Sequence, residues 1–268
     1  MKKLYKLGVI GCGFMARAIL KGVVRSDFIR AKRVVVSDVS DEALDSVAEL
    51  GVKCTKNNAY LIENSEYVLV AVKPQSFASV VSETTGVAPE KVISIMAGVK
   101  RDKLKAAFGR GTKVARCMPN LPCSIGSGAI GVDMTDFNAS QQDIEFISGV
   151  LNCLGTVVSV REEKMDAVTG ISGSGPAYVF MFIDALIDAG IKNGLTRGEA
   201  TVLAVQTVSG AADMVNETDT PVSELIQRVC SKGGTTIEAV KVLEENNFRS
   251  IIGDAVDACV KRSKELSE

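Results

Sequence analysis

The sequence predicts an α/β protein in two parts: a helix-covered parallel sheet over 1–161 and an all-α region over 162–268. Three observations carry this. Short β-rich runs alternate with helical patterns through the first 160 residues. β-runs nearly vanish after Glu162. A glycine turn, Gly11-Cys12-Gly13-Phe14-Met15-Ala16, joins the first strand to the first helix. Alternating strands and helices imply a parallel sheet, because parallel neighbours need a crossover connection.

The predicted strands are Leu4–Ile10, Arg33–Asp38, Tyr67–Val72, Lys91–Met96, Thr112–Met118 and Thr156–Val160. Helical stretches between them include Phe14–Arg25, Asp41–Leu50 and Arg101–Phe108. The second part reads as helices over Pro176–Lys192, Thr196–Asn216, Val222–Val229, Thr236–Glu245 and Phe248–Leu266. Ala177–Ile191 and Thr201–Val215 are apolar on more than one face. Such helices need burial, either in a bundle core or in a large subunit interface.

Composition narrows the function. At 268 residues and 46% hydrophobic, the chain fills a full core. A net charge of −1 gives no electrostatic case for nucleic acid or an anionic membrane. No unbroken apolar run reaches ~18 residues, so no transmembrane helix is expected. The start, MKKLYKLGVIGCG, reads as a strand and not as a signal peptide. Seven cysteines without C-x-x-C spacing indicate a reduced, cytoplasmic chain with no metal site. The absence of histidine removes Ser-His-Asp and Cys-His hydrolases.

Gly11 to Ala16 is G-x-G-x-x-A, the Rossmann dinucleotide fingerprint in its alanine form. Gly11 allows the tight turn, Gly13 admits the pyrophosphate to the backbone, and Ala16 keeps the helix close to the sheet. Asp38 ends the second strand, where a carboxylate accepts from ribose hydroxyls and repels a 2′-phosphate. The turn Ser37-Asp38-Val39-Ser40-Asp41 holds no Arg or Lys, so NADH is favoured over NADPH. The alternative for Asp38 is to cap the next helix, which Ser40 or Asp41 could also do. Ala71-Val72-Lys73-Pro74, Met96-Ala97-Gly98-Val99 and Arg116-Cys117-Met118-Pro119-Asn120 follow further strands. Ligands of open α/β sheets bind at such carboxyl ends.

The most informative stretch is Val229–Val240, VCSKGGTTIEAV. Two glycines and two threonines precede an apolar-periodic helix, and Thr235 with Glu238 has capping-box spacing. Converging N–H groups and the positive helix end suit a carboxylate or phosphate.

Together these residues resemble the pyrroline-5-carboxylate reductase family over the full length. The resemblance rests on GCGFMA (11–16), AVKP (71–74), MAGV (96–99), RCMPN (116–120), VTGISGSGPAYVF (168–180) and SKGGTTIEAVKVLE (231–244). It implies reduction of 1-pyrroline-5-carboxylate to L-proline by hydride from NAD(P)H. It further implies a helical domain that forms a homodimer, with further assembly up to a decamer of five dimers. By resemblance the cofactor contacts fall on Ile10, Gly11, Cys12, Gly13, Phe14, Met15, on Asn58, on Ala71, Val72, Lys73, Pro74, and on Met96, Ala97, Gly98. Ser37 and Asp38 join them at the second strand. The substrate contacts fall on Ser231, Gly233, Gly234, Thr235 and Thr236. Asp38 departs from relatives that carry a small hydroxyl residue there, and Lys232 stands where proline is common.

The expected chemistry is hydride delivery to a C=N carbon while the loop tethers the substrate carboxylate. Thr236 is the expected catalytic residue, its hydroxyl hydrogen-bonding the ring nitrogen. Ser172-Gly173-Ser174-Gly175-Pro176 reads as a helix start made for close packing or substrate contact. Gly170, Gly173 and Gly175 also fit a β-hydroxyacid dehydrogenase, but Tyr178-Val179-Phe180-Met181 lacks the lysine that chemistry needs. A non-catalytic NAD-sensing protein would show a spoiled carboxylate loop, and this one is intact.

Overall fold

The computed structural model describes residues 3–135 and 137–267. In chain order the first part runs β1 (Tyr5–Ile10), α1 (Phe14–Arg25), β2 (Val34–Ser37), α2 (Asp41–Ala48), β3 (Lys53–Thr55), α3 (Asn58–Asn64) and β4 (Ser65–Val70). It continues with α4 (Phe77–Glu83), β5 (Lys91–Ser94), α5 (Arg101–Phe108), β6 (Lys113–Met118), β7 (Gly128–Asp133), α6 (Gln141–Asn152) and β8 (Gly155–Ser159). Then come α7 (Met165–Val168), a π-helical turn over Thr169–Gly173, α8 (Gly175–Lys192), α9 (Arg197–Glu217), α10 (Val222–Val229), α11 (Thr235–Glu245) and α12 (Phe248–Ser267).

The sheet order is β3-β2-β1-β4-β5-β6-β7-β8. Every neighbouring pair is parallel except β6 with β7. The chain leaves β1 toward one edge and returns at β4 to build the other. A crevice therefore opens above the carboxyl ends of β1 and β4, the topological switch point. β2 is buried and β-branched along its length, as a sheet covered on both faces requires (Val34, Val35 and Val36 are each 0% exposed).

Two strands were not legible from pattern. β3 is three residues long. β7 carries Gly128 and Gly131, which weaken any strand signal. Both glycines are required by packing: a Cβ at Gly131 would lie 2.7 Å from Val168 Cγ1, and one at Gly128 would meet Leu154 O at 2.8 Å. The antiparallel β6–β7 pair is a further departure from the all-parallel expectation. Only a 3₁₀ turn, Leu121–Ile125, links the two strands, too short for a crossover helix.

Two polar clusters lock the sheet. On the first, Lys91 Nζ lies 2.7 Å from Asp143 Oδ1, the Tyr67 hydroxyl donates to the same oxygen at 2.5 Å, and Ser140 donates to Oδ2. Burial alone would raise the Asp143 pKa, but these hydrogen bonds outweigh it and hold the carboxyl well below the ordinary range; the same contact and burial push the Tyr67 phenol up. On the second, Glu162 accepts from Arg101 Nε at 3.2 Å and Arg116 Nη1 at 3.1 Å, with Arg101 3.5 Å from buried Asp133.

By packing, the chain forms two compact units: Met1–Ser174 with Cys259–Glu268, and Gly175–Ala258. The pattern boundary near 160 differs from this division because Met165 to Ser174 and the last turns of α12 pack with the sheet. Ser263 Oγ donates to Asp166 at 2.6 Å, and Ser174 Oγ lies 3.0 Å from Cys259 Sγ. In the second unit the expected burial of the apolar helices does not occur within one chain. α8 buries only Ile187, and Phe180 and Met181 are 53% and 73% exposed. The helical stretch Glu162–Lys192 is also long and apolar enough to cross a membrane by length and composition, contrary to the expectation from unbroken apolar runs.

Asp143→Asn is expected to destabilise the protein by about 3 kcal/mol in urea denaturation at neutral pH, as breaking a buried pair does. The folded carboxyl titrates below its ordinary 3.8. Its stabilisation is therefore complete above that pH and is lost as the pH falls further, so the gap between native and variant should close in acid.

Candidate active site

The glycine turn is built by three strand ends. Gly11 takes φ +91°, a left-handed conformation that glycine adopts without strain. Its N–H donates to Ser37 O at 2.8 Å, and Ala71 N–H donates to Ile10 O at 2.8 Å. A Cβ on Gly11 would lie 2.8 Å from Val72 Cγ1. Gly13 is the extended N-cap of α1, and beyond its own chain neighbours no atom among the described residues lies within 4 Å of where its Cβ would stand. The open space at Gly13 and the uncapped start of α1 together fit the pyrophosphate of a dinucleotide.

Asp38 reaches across this turn. Its Oδ2 accepts from Cys12 N–H at 2.7 Å and its Oδ1 from Ser40 N–H at 2.9 Å. Ser40 supplies the cap of α2, accepting from Ala43 N–H at 3.2 Å, so Asp38 is free of that task. Cys12 is buried, its thiol donating to Ala43 O at 3.1 Å. Burial, with the Asp38 charge beside it, pushes that thiol up to about 11, so it packs and does not react.

A cavity of about 560 Å³ opens beside these groups. Ile10, Gly11 and Gly13 line it from the first turn, Ser37 and Asp38 from the end of β2, and Ala71, Val72 and Lys73 from the end of β4. Asn58, at the start of α3, completes this set. Ser37 Oγ donates to Asn58 Oδ1 at 2.6 Å, and Asn58 Nδ2 donates to Glu83 Oε2 at 2.6 Å. Cys12 and Met15 lie beneath the turn. Phe14 projects at 51% exposure, and Pro74 opens a 3₁₀ turn. Met96 is buried in the core, Ala97 is exposed, and Gly98 takes φ +72° against the C-terminal turn, where its Cβ would meet Leu266 O at 3.0 Å. These last three do not line the cavity.

The sequence reading missed Lys56 and Glu83, which also line the cavity. Lys56 follows the three-residue β3, and Glu83 ends α4, a seven-residue helix whose FASVVSE sequence has weak helical character. Neither could be placed without the fold.

In the second unit, Ser231 to Gly234 forms a tight turn closed by Gly234 N–H to Ser231 O at 3.0 Å, with Gly233 at φ +74°. A Cβ on Gly234 would collide with Ser231 Oγ and stand 3.2 Å from Ser231 O. Gly233 is thus demanded by its backbone conformation, and a side chain at Gly234 would require Ser231 to give way. The predicted capping box does not form. α11 begins one residue earlier than predicted, so Gly234 is the N-cap, Thr235 is already helical, and Glu238 pairs with Lys241 at 2.7 Å. The first-turn N–H groups keep no intrahelical acceptor. Thr235 is exposed and Thr236 half-buried at this end. A second cavity, about 570 Å³, lies among α10, α11 and α12, lined by groups such as Ile226, Leu243 and Phe248. Glu244, Asn247, Arg249 and Ser250 line it too, and none of the Ser231–Thr236 residues is among its lining.

Gly173 belongs to close packing: a Cβ there would lie 2.7 Å from Met118 Cε, and Asn120 Nδ2 donates to Ser172 O at 3.1 Å.

The sheet order, the glycine turn and the cavity at the switch point define a dinucleotide-binding oxidoreductase domain. Residues 6–98 match the family model described as NADP oxidoreductase, coenzyme F420-dependent, and residues 162–266 match that for pyrroline-5-carboxylate reductase dimerisation. The chain is 39% identical to the pyrroline-5-carboxylate reductase of Methanosarcina acetivorans over 98% of both chains. It resembles the solved structure of a pyrroline-5-carboxylate reductase from Coxiella burnetii at TM-score 0.90 and 35% identity, covering 99% of this chain and 100% of that one. The NADP-bound structure of a pyrroline carboxylate reductase from Plasmodium falciparum is similar at TM-score 0.87 and 31% identity, with 100% of each covered. The chain belongs to the pyrroline-5-carboxylate reductase family. The match over 162–266 makes its helical region a dimerisation region, which accounts for the exposed apolar faces of α8 and α9 without a membrane.

Gly11→Ala should lower thermal stability and dinucleotide affinity together, since its Cβ strikes Val72. Gly13→Ala should leave the melting temperature unchanged and weaken dinucleotide binding at least tenfold, about 1.4 kcal/mol, because its methyl occupies open space needed by the phosphate. Calorimetric scans and fluorescence titration check both.

Proposed function

We propose that this chain reduces the cyclic imine 1-pyrroline-5-carboxylate to L-proline with hydride from NAD(P)H, the last step of proline biosynthesis, in the cytoplasm. The observation that carries the reading is the intact Ser231–Thr236 turn at the start of α11, in a chain similar to pyrroline-5-carboxylate reductases along its whole length. A bound NAD(P)H supplies the hydride. The protein binds and orients. Gly11, Gly13 and the start of α1 hold the pyrophosphate. Ser37, Asp38 and Asn58 take the adenosine ribose, and the loops ending β4 and β5 (Ala71–Pro74 and Met96–Gly98) take the rest of the dinucleotide.

Ser231, Gly233, Gly234, Thr235 and Thr236 hold the substrate carboxylate through main-chain N–H groups and hydroxyls at the positive end of α11. Tethering the carboxylate fixes the ring, and positioning of this kind is worth up to about 7–11 kcal/mol of barrier in favourable cases. Thr236 hydrogen-bonds the ring nitrogen, its hydroxyl oxygen accepting from the N–H of a protonated imine or its O–H donating to the lone pair of a neutral one. A threonine hydroxyl is too weak an acid to protonate the imine unaided, so the imine arrives protonated from solution or takes a proton relayed from water. Asp38 sets the preference for NADH. The functional division of the chain falls at 161/162, with cofactor on one side and substrate and dimer contacts on the other. Assembly beyond the dimer, to a decamer of five dimers, belongs to the same proposal.

Thr236→Ala is expected to lower kcat/KM for the imine at least tenfold, about 1.4 kcal/mol, with cofactor affinity retained. Near-normal turnover would remove Thr236 from the mechanism. Asp38→Ser should shift the kcat/KM ratio toward NADPH. A native enzyme that already prefers NADPH would refute the Asp38 assignment.

A further inference from the structure

Cofactor choice at the ribose end involves a cation that lies outside the β2 turn. Lys56, between β3 and α3, lines the same 560 Å³ cavity as Ser37, Asp38 and Asn58. Its ammonium lies 2.8 Å from both carboxylate oxygens of Asp41, fifteen residues earlier, at the first turn of α2. Both side chains are more than half exposed. An exposed ion pair of this kind is weak and salt-screened, so the ammonium can be drawn away by a stronger anion.

The neighbouring acids are placed differently. Asp38 is anchored on both oxygens by main-chain N–H groups of Cys12 and Ser40. Glu83 is held by Asn58 Nδ2 and by Ser79 Oγ at 3.0 Å. The acids are fixed, whereas Lys56, which lines the cavity from the β3 side while Lys73 lines it from β4, is paired among the described residues with the surface carboxylate of Asp41.

We propose that Lys56 is the counter-cation for the 2′-phosphate of NADPH, and that Asp41 is its resting partner when that phosphate is absent. The inference rests on the reading that this cavity takes the adenosine half of the cofactor. On it, Asp38 tilts the enzyme toward NADH, and Lys56 preserves use of NADPH by leaving Asp41 for the phosphate. A charged ammonium gains much more from a dianionic phosphate than from a neutral ribose hydroxyl in its place, so its effect falls chiefly on one cofactor.

The test is fluorescence titration of NADPH and NADH on the full chain, in native, Lys56→Gln, Lys56→Arg and Asp41→Asn forms. Lys56→Gln should raise the ratio of Kd for NADPH to Kd for NADH at least fivefold, and Lys56→Arg should restore most of it. Asp41→Asn should lower the same ratio, because the ammonium is released. An unchanged ratio in Lys56→Gln overturns the role of Lys56, and an unchanged or raised ratio in Asp41→Asn overturns the resting pair. Failure of the cavity reading is distinct: the native chain would bind neither dinucleotide, and the inference would fall with it. A native preference for NADPH would refute only the Asp38 assignment and would leave the Lys56 ratio test standing.

Discussion

The candidate cofactor site depends on the place where the ends of β1, β2 and β4 are stitched together around Gly11. The Gly11 N–H binds Ser37 O, the Ala71 N–H binds Ile10 O, and Asp38 closes over the turn onto the Cys12 N–H. With φ at +91° and Val72 pressing on the missing Cβ, only glycine lets the three ends come so close. That closeness leaves Gly13, the N-cap of α1, lining the cavity. It also makes Asp38 a structural brace as well as an expected ribose ligand. One carboxylate thus braces the glycine turn from the position where a ribose ligand is expected.

What was legible in the sequence follows from local signal. α1 and α5 run over the predicted Phe14–Arg25 and Arg101–Phe108, because each carries buried apolar residues at helical spacing (Ala16, Ile19, Leu20 and Val23 in α1, Leu104 and Phe108 in α5). The glycine turn and the Ser231–Thr236 loop were legible because adjacent glycines before a helix have few other reasons to exist. β7 was not, since its glycines answer to Val168 and Leu154, residues far along the chain. The capping box at Thr235 and Glu238 failed for a similar reason: Gly233 at φ +74° carries the turn, and the helix starts before the spacing can be used. Lys56 and Glu83 were invisible because their place in the cavity depends on sheet order, which local pattern does not encode.

The second unit shows the opposite balance. Its helices were easy to read and their surroundings were not. α8 and α9 bury little within one chain, and the dimerisation match over 162–266 gives their apolar faces a partner. Hydrophobic periodicity states that a face must be covered; it does not state by which chain.

The most direct measurement mixes the purified chain with 1-pyrroline-5-carboxylate and NADH and follows cofactor oxidation together with product. The account predicts one proline formed for each NADH oxidised, with turnover lost when the Gly233–Gly234 turn is replaced by alanines. Dinucleotide binding without any proline formation from the native chain would contradict it.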